Sequence, residues 1–329
     1  MKQVKMREIA YRDAICEAMD EEMARDESVF LMGEDVGFIG GNFKTSVGLF
    51  EKYGGMRVKD TPISESGFVG MGIGAALTGL RPIVELMFGD FIMVAADQIC
   101  NQAAKIRYMS GGQTTVPMVI RTPLGGGRSS AAQHSQSLQA WVSHIPGLKV
   151  VLPSSAAEAK GLLKTAIRDD NPVIFFEHKM MYSNKFLVPD DPDFTIPFGN
   201  ANIVHSGDAL TIVASSSMVL LAQNVAEKLE KEGILIEVID IRTIVPLDTE
   251  TIIHSVKKTG KLLVIDEGHI RCGIGGEIAM SVMDDIFFDL DAPIKRLGTA
   301  NVPLPFSPAL EFPLIPDADK IYDTVKSML

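Results

Sequence analysis

Short runs rich in Val, Ile and Leu alternate with amphipathic stretches along almost the whole chain. The apolar runs are continuous rather than strictly alternating, as in strands covered on both faces. They predict strands at Val29–Met32, Pro82–Leu86, Val116–Arg121, Leu148–Leu152 and Val173–Glu177. A second set is expected at Leu210–Ala214, Leu235–Ile241, Leu262–Asp266 and Ile294–Leu297. Between them Ala10–Arg25, Phe91–Met109, Ala156–Arg168, Met218–Glu232 and Glu250–Lys258 read as helices, with Asp248 and Asp317 as side-chain N-caps. Strand–helix alternation implies α/β units around largely parallel sheets. Phe186–Asn200 carries Pro189, Pro192 and Pro197 among aspartates, and proline fixes φ and removes a donor, so this stretch suits an extended linker. The expected division is a first domain over residues 1–190, a linker over 191–200 and a second domain over 201–329.

Composition narrows the class without choosing a function. At 329 residues the chain has room for two cores. Its 31 basic and 42 acidic residues give a net charge of −11, which argues against a nucleic-acid partner. No apolar stretch reaches the ~18–20 residues of a membrane span, and Met1–Glu22 has no signal-peptide core. Cys16, Cys100 and Cys272 lie far apart without a CxxC pair, so zinc is not expected and a reducing cytoplasm is. The class left is a cytoplasmic enzyme or enzyme subunit.

Gly70-Met-Gly-Ile-Gly-Ala75 matches the letters of the dinucleotide fingerprint GxGxxA. That fingerprint needs a preceding strand, whereas Thr61–Gly67 looks like a turn into a helix. A glycine-lined helix over Phe68–Leu80, close-packed against another helix or an oligomer partner, fits better. Gly273–Gly276 reads as a loop opening a helix. Glu65, at the start of the glycine-lined helix, either complements the helix dipole or is a partly buried acid able to share a proton with a ligand nitrogen. Phe88 and Phe91 fall where a strand hands over to a helix, a usual ligand-facing place; core packing is the plainer account. Gly125–Gly127 with Arg128 suits an anion or a closing loop, and His134 downstream is either solvated or functional. His144, His178, His205 and His254 lack metal spacing, and His269 with Arg271 suits an interface. No GxSxG elbow, GxxxxGK[ST] loop or acid–asparagine pair for a magnesium diphosphate is present.

At Asp60-Thr-Pro-Ile-Ser-Glu-Ser-Gly67 the sequence resembles the beta subunit of the thiamine-diphosphate-dependent first component of 2-oxo acid dehydrogenase complexes. The likeness runs on through Thr78–Glu85, Met109-Ser-Gly-Gly112, Gln133-His-Ser-Gln136, Pro146–Val151, Ala159-Lys-Gly161, Val238–Thr243 and Asp291-Ala-Pro293, essentially the whole chain. Glu85–Phe91, Ile265–Cys272 and Val302–Pro308 look most like acetoin dehydrogenase subunits, with pyruvate-type subunits close behind.

The resemblance implies a pyrimidine-binding parallel-sheet domain followed by a transketolase C-terminal-like domain. It implies an α2β2 heterotetramer in which the alpha chain holds Mg2+ and the diphosphate. By the resemblance, Glu65 hydrogen-bonds N1′ of the aminopyrimidine, so that the ylid forms and attacks the substrate carbonyl. Phe91 stacks on that ring, His134 lies near the substrate and arriving lipoyl group, and Glu34 is an acidic position near the cofactor. Met118, Ala166, Ile167, Asp169 and Asn171 match a potassium site built largely from backbone oxygens. Val94 departs from a glutamate of some pyruvate-type members, which breaks an acidic proton path between two active sites. The implied partners are the alpha subunit and a lipoyl-bearing acyltransferase core. Alternatives are a branched-chain 2-oxo acid dehydrogenase subunit, a split transketolase-like half and a non-catalytic docking subunit.

Overall fold

The computed structural model describes residues 5–329, whose contacts divide into two compact units. The first runs to Leu124 and resumes over Trp141–Phe198; the second takes Gly125–Ala140 together with Gly199–Leu329. The units are therefore not contiguous in sequence. A short glycine-rich segment, expected within the first domain, groups with the second instead.

In the first unit, parallel strands lie in the order Lys149–Val151, Val173–His178, Val119–Leu124, Arg81–Glu85, Val29–Gly33 and Val58–Asp60. All residues of Val29–Gly33, Val119–Leu124 and Val173–His178 are buried, which explains why their apolar residues do not alternate with polar ones; the charges Arg121 and Glu177 are buried with them. Helix Ala156–Arg168 starts where the pattern placed it, with the Ser155 hydroxyl accepting from the Glu158 N–H. It packs on helix Tyr11–Arg25 through a charged ladder. Lys160 and Lys164, both fully buried, reach Glu21 at 2.8 and 2.5 Å, and Arg168 reaches Glu22 at 2.6 Å.

The same helix straps down the proline-rich stretch. The Ile196 N–H donates to the Gly161 carbonyl (3.1 Å), the Thr165 hydroxyl to that of Ile196 (2.7 Å), and the Lys164 ammonium to that of Pro192. Lys185–Pro189, within the expected first domain but overlapping the start of the proline-bearing stretch Phe186–Asn200, is a strand paired antiparallel with Met6–Ala10. Composition favoured a free connection, and buried lysines holding its carbonyls make it part of the first unit.

One further expectation changes. Phe91–Met109 is not one helix but a 3-10 turn at Gly89–Met93, a π turn at Gln98–Ala103 and a short α segment at Ile106–Met109. Buried Ile92, Ala95, Ile99 and Ala103 keep a helical spacing, which is why the pattern looked continuous. The glycine-lined helix, Glu65–Leu77, meets both a helical turn and the sheet: a Cβ on Gly70 would lie 3.5 Å from Gln98 Cγ of the π turn, as expected of a helix contact, while the central Gly72 backs onto the sheet. A Cβ on Gly72 would sit 2.9 Å from Val84 Cγ2 and 3.0 Å from Met118 Cε.

The second unit is a five-stranded sheet in the order Lys295–Thr299, Leu262–His269, Leu210–Ala214, Ile236–Asp240 and Asn202–His205, parallel except for the last. Its core joins these strands to the helices Ser217–Glu230 and Ala318–Lys326. Asp248 and Asp317 cap helices as expected, accepting from the N–H of Thr251 and Lys320.

Candidate active site

The C-terminal ends of the parallel strands in the first unit carry the groups of interest, the side of such sheets where ligands bind. Glu34 follows strand Val29–Gly33, and Phe88 and Phe91 follow strand Arg81–Glu85. Glu65 is the first residue of its helix, where an acid complements the exposed N–H groups. Both Glu34 and Glu65 are only 6% exposed.

Burial raises the Glu34 pKa, and the neighbouring charges of Glu65 and then Asp35 raise it further. Glu34 Oε1 is buried and has no hydrogen-bond partner among the described residues. A buried acid left in this state is suited to a ligand donor or a shared proton. The Glu65 helix is tied to the Phe91 turn, since the Ser66 hydroxyl donates to the Val94 carbonyl at 2.5 Å.

Phe91 heads a chain of ring contacts. It meets Phe88 edge-on with centroids 5.8 Å apart; Phe88 meets Phe43 at 5.8 Å, and Phe43 stacks on Tyr182 at 4.8 Å. Such packing fixes the half-buried Phe91 ring as a stacking platform.

Beneath these groups lies a buried ion network that the sequence reading missed. Arg121, 1% exposed, forks onto both oxygens of Glu177 at 2.7 and 2.9 Å and reaches Glu85 at 2.7 Å. The Tyr182 hydroxyl donates to Glu177 (2.8 Å) and the Thr45 hydroxyl to Glu85 (3.2 Å). Burial pushes the Glu177 pKa up against the pull of Arg121. The available signal was one charged residue near the end of each of three apolar strands; Glu85 and Arg121 are register partners. Only the strand order brings Glu177 beside them. Gly33, just before Glu34, lies so close to the Glu85 backbone that a Cβ would be 2.6 Å from its carbonyl oxygen, so the network and the Glu34 turn share a support.

The carbonyls that the resemblance implies for potassium lie before the starts of strands Val119–Leu124 and Val173–His178, at and after the end of helix Ala156–Arg168, and they are not bare. The Met118 carbonyl accepts from the Val173 N–H (2.9 Å) and that of Ala166 from the Asp169 N–H (3.2 Å). Arg81 Nη1 donates to both Ile167 and Asp169 carbonyls at 3.0 Å. The Asn171 amide nitrogen donates to Asp169 Oδ1 at 2.8 Å. A carbonyl has two lone pairs, so each keeps one acceptor direction.

In the second unit His134 ends a 3-10 turn at Ala132–His134 and is half-buried. The Gly125–Gly127 loop before it suits an anion or a closing loop by its sequence. N–H donors there are already engaged by the chain's own carboxylates. Gly126 donates to Glu267 at 2.5 Å, while Gly127 and Ser129 both donate to Glu311 at 2.8 Å. Further along, Gln139 donates to Asp266 at 2.7 Å. His178, His205 and His269 pair with backbone groups: the Met180 N–H and the carbonyls of Ile236 and Ala300. Among the described residues no cluster of His, Cys, Asp and Glu could hold a metal, and no helix is long and apolar enough to cross a membrane.

A family model described as transketolase, pyrimidine binding domain, matches residues 7–185, and one described as transketolase, C-terminal domain, matches residues 199–321. The pyruvate dehydrogenase E1 component subunit beta of Rickettsia felis is 50% identical over 321 residues, covering 98% of each chain. That of Rhizobium meliloti is 49% identical over 98% of this chain and 70% of its own. The 2-oxoisovalerate dehydrogenase subunit beta of Bacillus subtilis is 47% identical over 97% of this chain and 98% of its own. A solved split-gene transketolase, described as an inactive beta4 tetramer, aligns with a TM-score of 0.78 at 24% identity over 98% of each chain, a likeness of fold alone.

Proposed function

Since the chain belongs to the beta subunits of the first (E1) component of 2-oxo acid dehydrogenases, we propose that it builds the aminopyrimidine half of a thiamine diphosphate site. In this reading Mg2+ and the diphosphate are held by an alpha subunit in an α2β2 heterotetramer, and the acyl group passes to lipoamide on an acyltransferase core. When bound, the cofactor supplies a nucleophilic carbon for the substrate carbonyl and a sink for the electron pair released there.

The observation that carries the reading is a buried pair inside the matched pyrimidine-binding region: Glu34, just after strand Val29–Gly33, and Glu65, at the head of the glycine-lined helix. Glu65 holds a proton against the ring nitrogen of the aminopyrimidine. Glu34, its pKa raised by burial and by Glu65, takes a hydrogen bond or relays a proton beside it. Phe91 stacks on the ring, its own position set by Phe88. His134 serves the second half of the reaction. As acyl transfer opens the lipoyl disulfide, one sulfur becomes the thioester, and the other leaves as a thiolate that takes a proton from His134. The carbonyls of Met118, Ala166, Ile167, Asp169 and Asn171 hold a potassium ion through their remaining lone pairs.

The test is Glu65→Gln in the complex reconstituted with alpha subunit and acyltransferase. Turnover should fall by about 10²–10⁴-fold, the worth of a positioned acid or base, while the tetramer still forms by sedimentation. Near-normal turnover would refute the assignment, and silent Glu65 and His134 variants would favour a docking subunit. The chain alone should bind thiamine diphosphate weakly, because half of the site is elsewhere. Rates on acetoin, pyruvate and branched 2-oxo acids assign the substrate, and sugar phosphates test the split transketolase alternative. The three unpaired cysteines agree with action in a reducing cytoplasm.

A further inference from the structure

The segment Gly125–Ala140 is an irregular stretch whose only regular elements are the 3-10 turn Ala132–His134 and the start of a short helix at Gln139. Two of its non-glycine residues hold left-handed backbone conformations, Ser129 at φ 55° and Ala131 at φ 62°. Such residues cost of order 1–3 kcal/mol each and persist only when their surroundings hold them. A carboxylate from the same unit holds this turn. Glu311, fully buried, closes the helix Pro308–Glu311 and turns its carboxylate into the loop. One oxygen accepts from the Gly127 N–H and the other from the Ser129 N–H, both at 2.8 Å. Gly126, just before them, is pressed so tightly that a Cβ would lie 2.7 Å from both Ile315 Cδ1 and Leu304 Cδ1.

Two more carboxylates fasten the segment. Glu267 takes the Gly126 N–H with one oxygen and the Ser217 hydroxyl (3.1 Å) with the other. Asp266 takes the Gln139 side chain at the far end. His134 therefore sits between two anchored points of one loop, and its nearest upstream anchor is the doubly hydrogen-bonded Ser129–Glu311 contact. Charge-assisted hydrogen bonds to a carboxylate are about twice as strong as neutral ones, so a fork from a buried carboxylate of this kind sets the loop's conformation.

We infer that Glu311 is a positioning residue for His134: its carboxylate templates the strained Gly127–Ala131 turn and so aims the imidazole at the lipoyl acceptor. The inference rests on the proposed role of His134. It makes the second domain a contributor to acyl transfer, through a residue that touches no reactant. Gln in place of Glu offers one acceptor oxygen and a repelling amide where two acceptors are needed, so one N–H is orphaned.

The experiment is a double-mutant cycle on the reconstituted complex with lipoamide as acceptor, using Glu311→Gln, His134→Ala and the pair. Glu311→Gln should lower kcat for lipoamide acylation by roughly tenfold or more, and the pair should be no worse than His134→Ala alone. Glu311→Asp, which keeps the charge, should restore part of the loss. Losses that multiply in the pair would overturn the inference, since a separate structural defect adds to the loss of His134. A silent Glu311→Gln beside an impaired His134→Ala would also overturn it. Amide exchange of the assembled complex separates the remaining cases. The inference expects faster exchange in Gly125–Ala140 with the strands Leu210–Ala214 and Leu262–His269 still protected; loss of protection throughout would mean misfolding and refute it. A silent His134→Ala would refute the His134 reading and the inference with it, while loop-confined exchange in Glu311→Gln would still identify the clamp.

Discussion

Replacing Arg121 with Met tests whether the buried ion network supports the strand ends under Glu34 and Glu65. The guanidinium makes every charged contact between Glu85 and Glu177, which are 5% and 1% exposed. Met fills much of the space but leaves two buried carboxyls without their cation. Breaking a buried pair from one side costs about 3–5 kcal/mol. For a unit of this size about 1 kcal/mol moves the melting point by roughly 2–4 °C, so the drop should be roughly 6–20 °C. The sign with pH follows from the carboxyls. Burial already raises Glu177 above its ordinary 4.5, and without Arg121 only the Tyr182 hydrogen bond opposes that rise. A group with a raised folded pKa contributes its full stability below the unfolded pKa and loses it as pH rises through the folded one. The variant should therefore be weakest near neutral pH and recover as the pH falls toward 4.5. Urea melts of the two proteins across that range are the assay. A loss under about 1 kcal/mol that stays flat with pH would refute the reasoning. The triple variant Glu85→Gln, Arg121→Met, Glu177→Gln should regain most of the loss, because removing a whole buried network is often near neutral.

Asp266 is pushed up to about 6 by burial, with the Gln139 hydrogen bond opposing and the Glu267 charge adding to the rise. Its contribution is complete below its ordinary 3.8 and lost as pH rises through about 6, so Asp266→Asn should stabilise at neutral pH by up to roughly 3 kcal/mol. Urea midpoints that fall with pH in the variant as they do in the parent would contradict this. For potassium, melting in KCl should exceed that in choline chloride of equal ionic strength by a few degrees, since occupancy at 10–100 times Kd is worth about 1.4–2.7 kcal/mol. Equal melting in both salts would leave the Ile167 and Asp169 carbonyls to Arg81 alone.

Local patterning decided much of this protein. Buried parallel strands need apolar residues on both faces, so Val29–Gly33 and Leu210–Ala214 stand out within a residue of their observed ends. Caps at Ser155, Asp248 and Asp317 are local hydrogen bonds, and Asp248 and Asp317 are visible to inspection. Glu65 and the glycine-lined helix could be picked out because four glycines in a helix demand a reason, and Gly72 supplies it by lying on Val84 and Met118. Family likeness added Glu34 and gave expected roles to Phe91 and His134, which position had already marked as candidates but no spacing rule would have joined.

Only the tertiary structure decided the rest, because the contacts join residues far apart in the chain. The Arg121 network exists because strands are ordered so that Glu85, Arg121 and Glu177 become neighbours. The proline-rich stretch looks free in sequence, yet a lysine on a distant helix takes its carbonyl. The Gly125–Gly127 loop looks like an anion site, and it is one; its anions are Glu267 and Glu311, more than a hundred residues away, and a carboxylate at that distance leaves no mark on the loop's own composition.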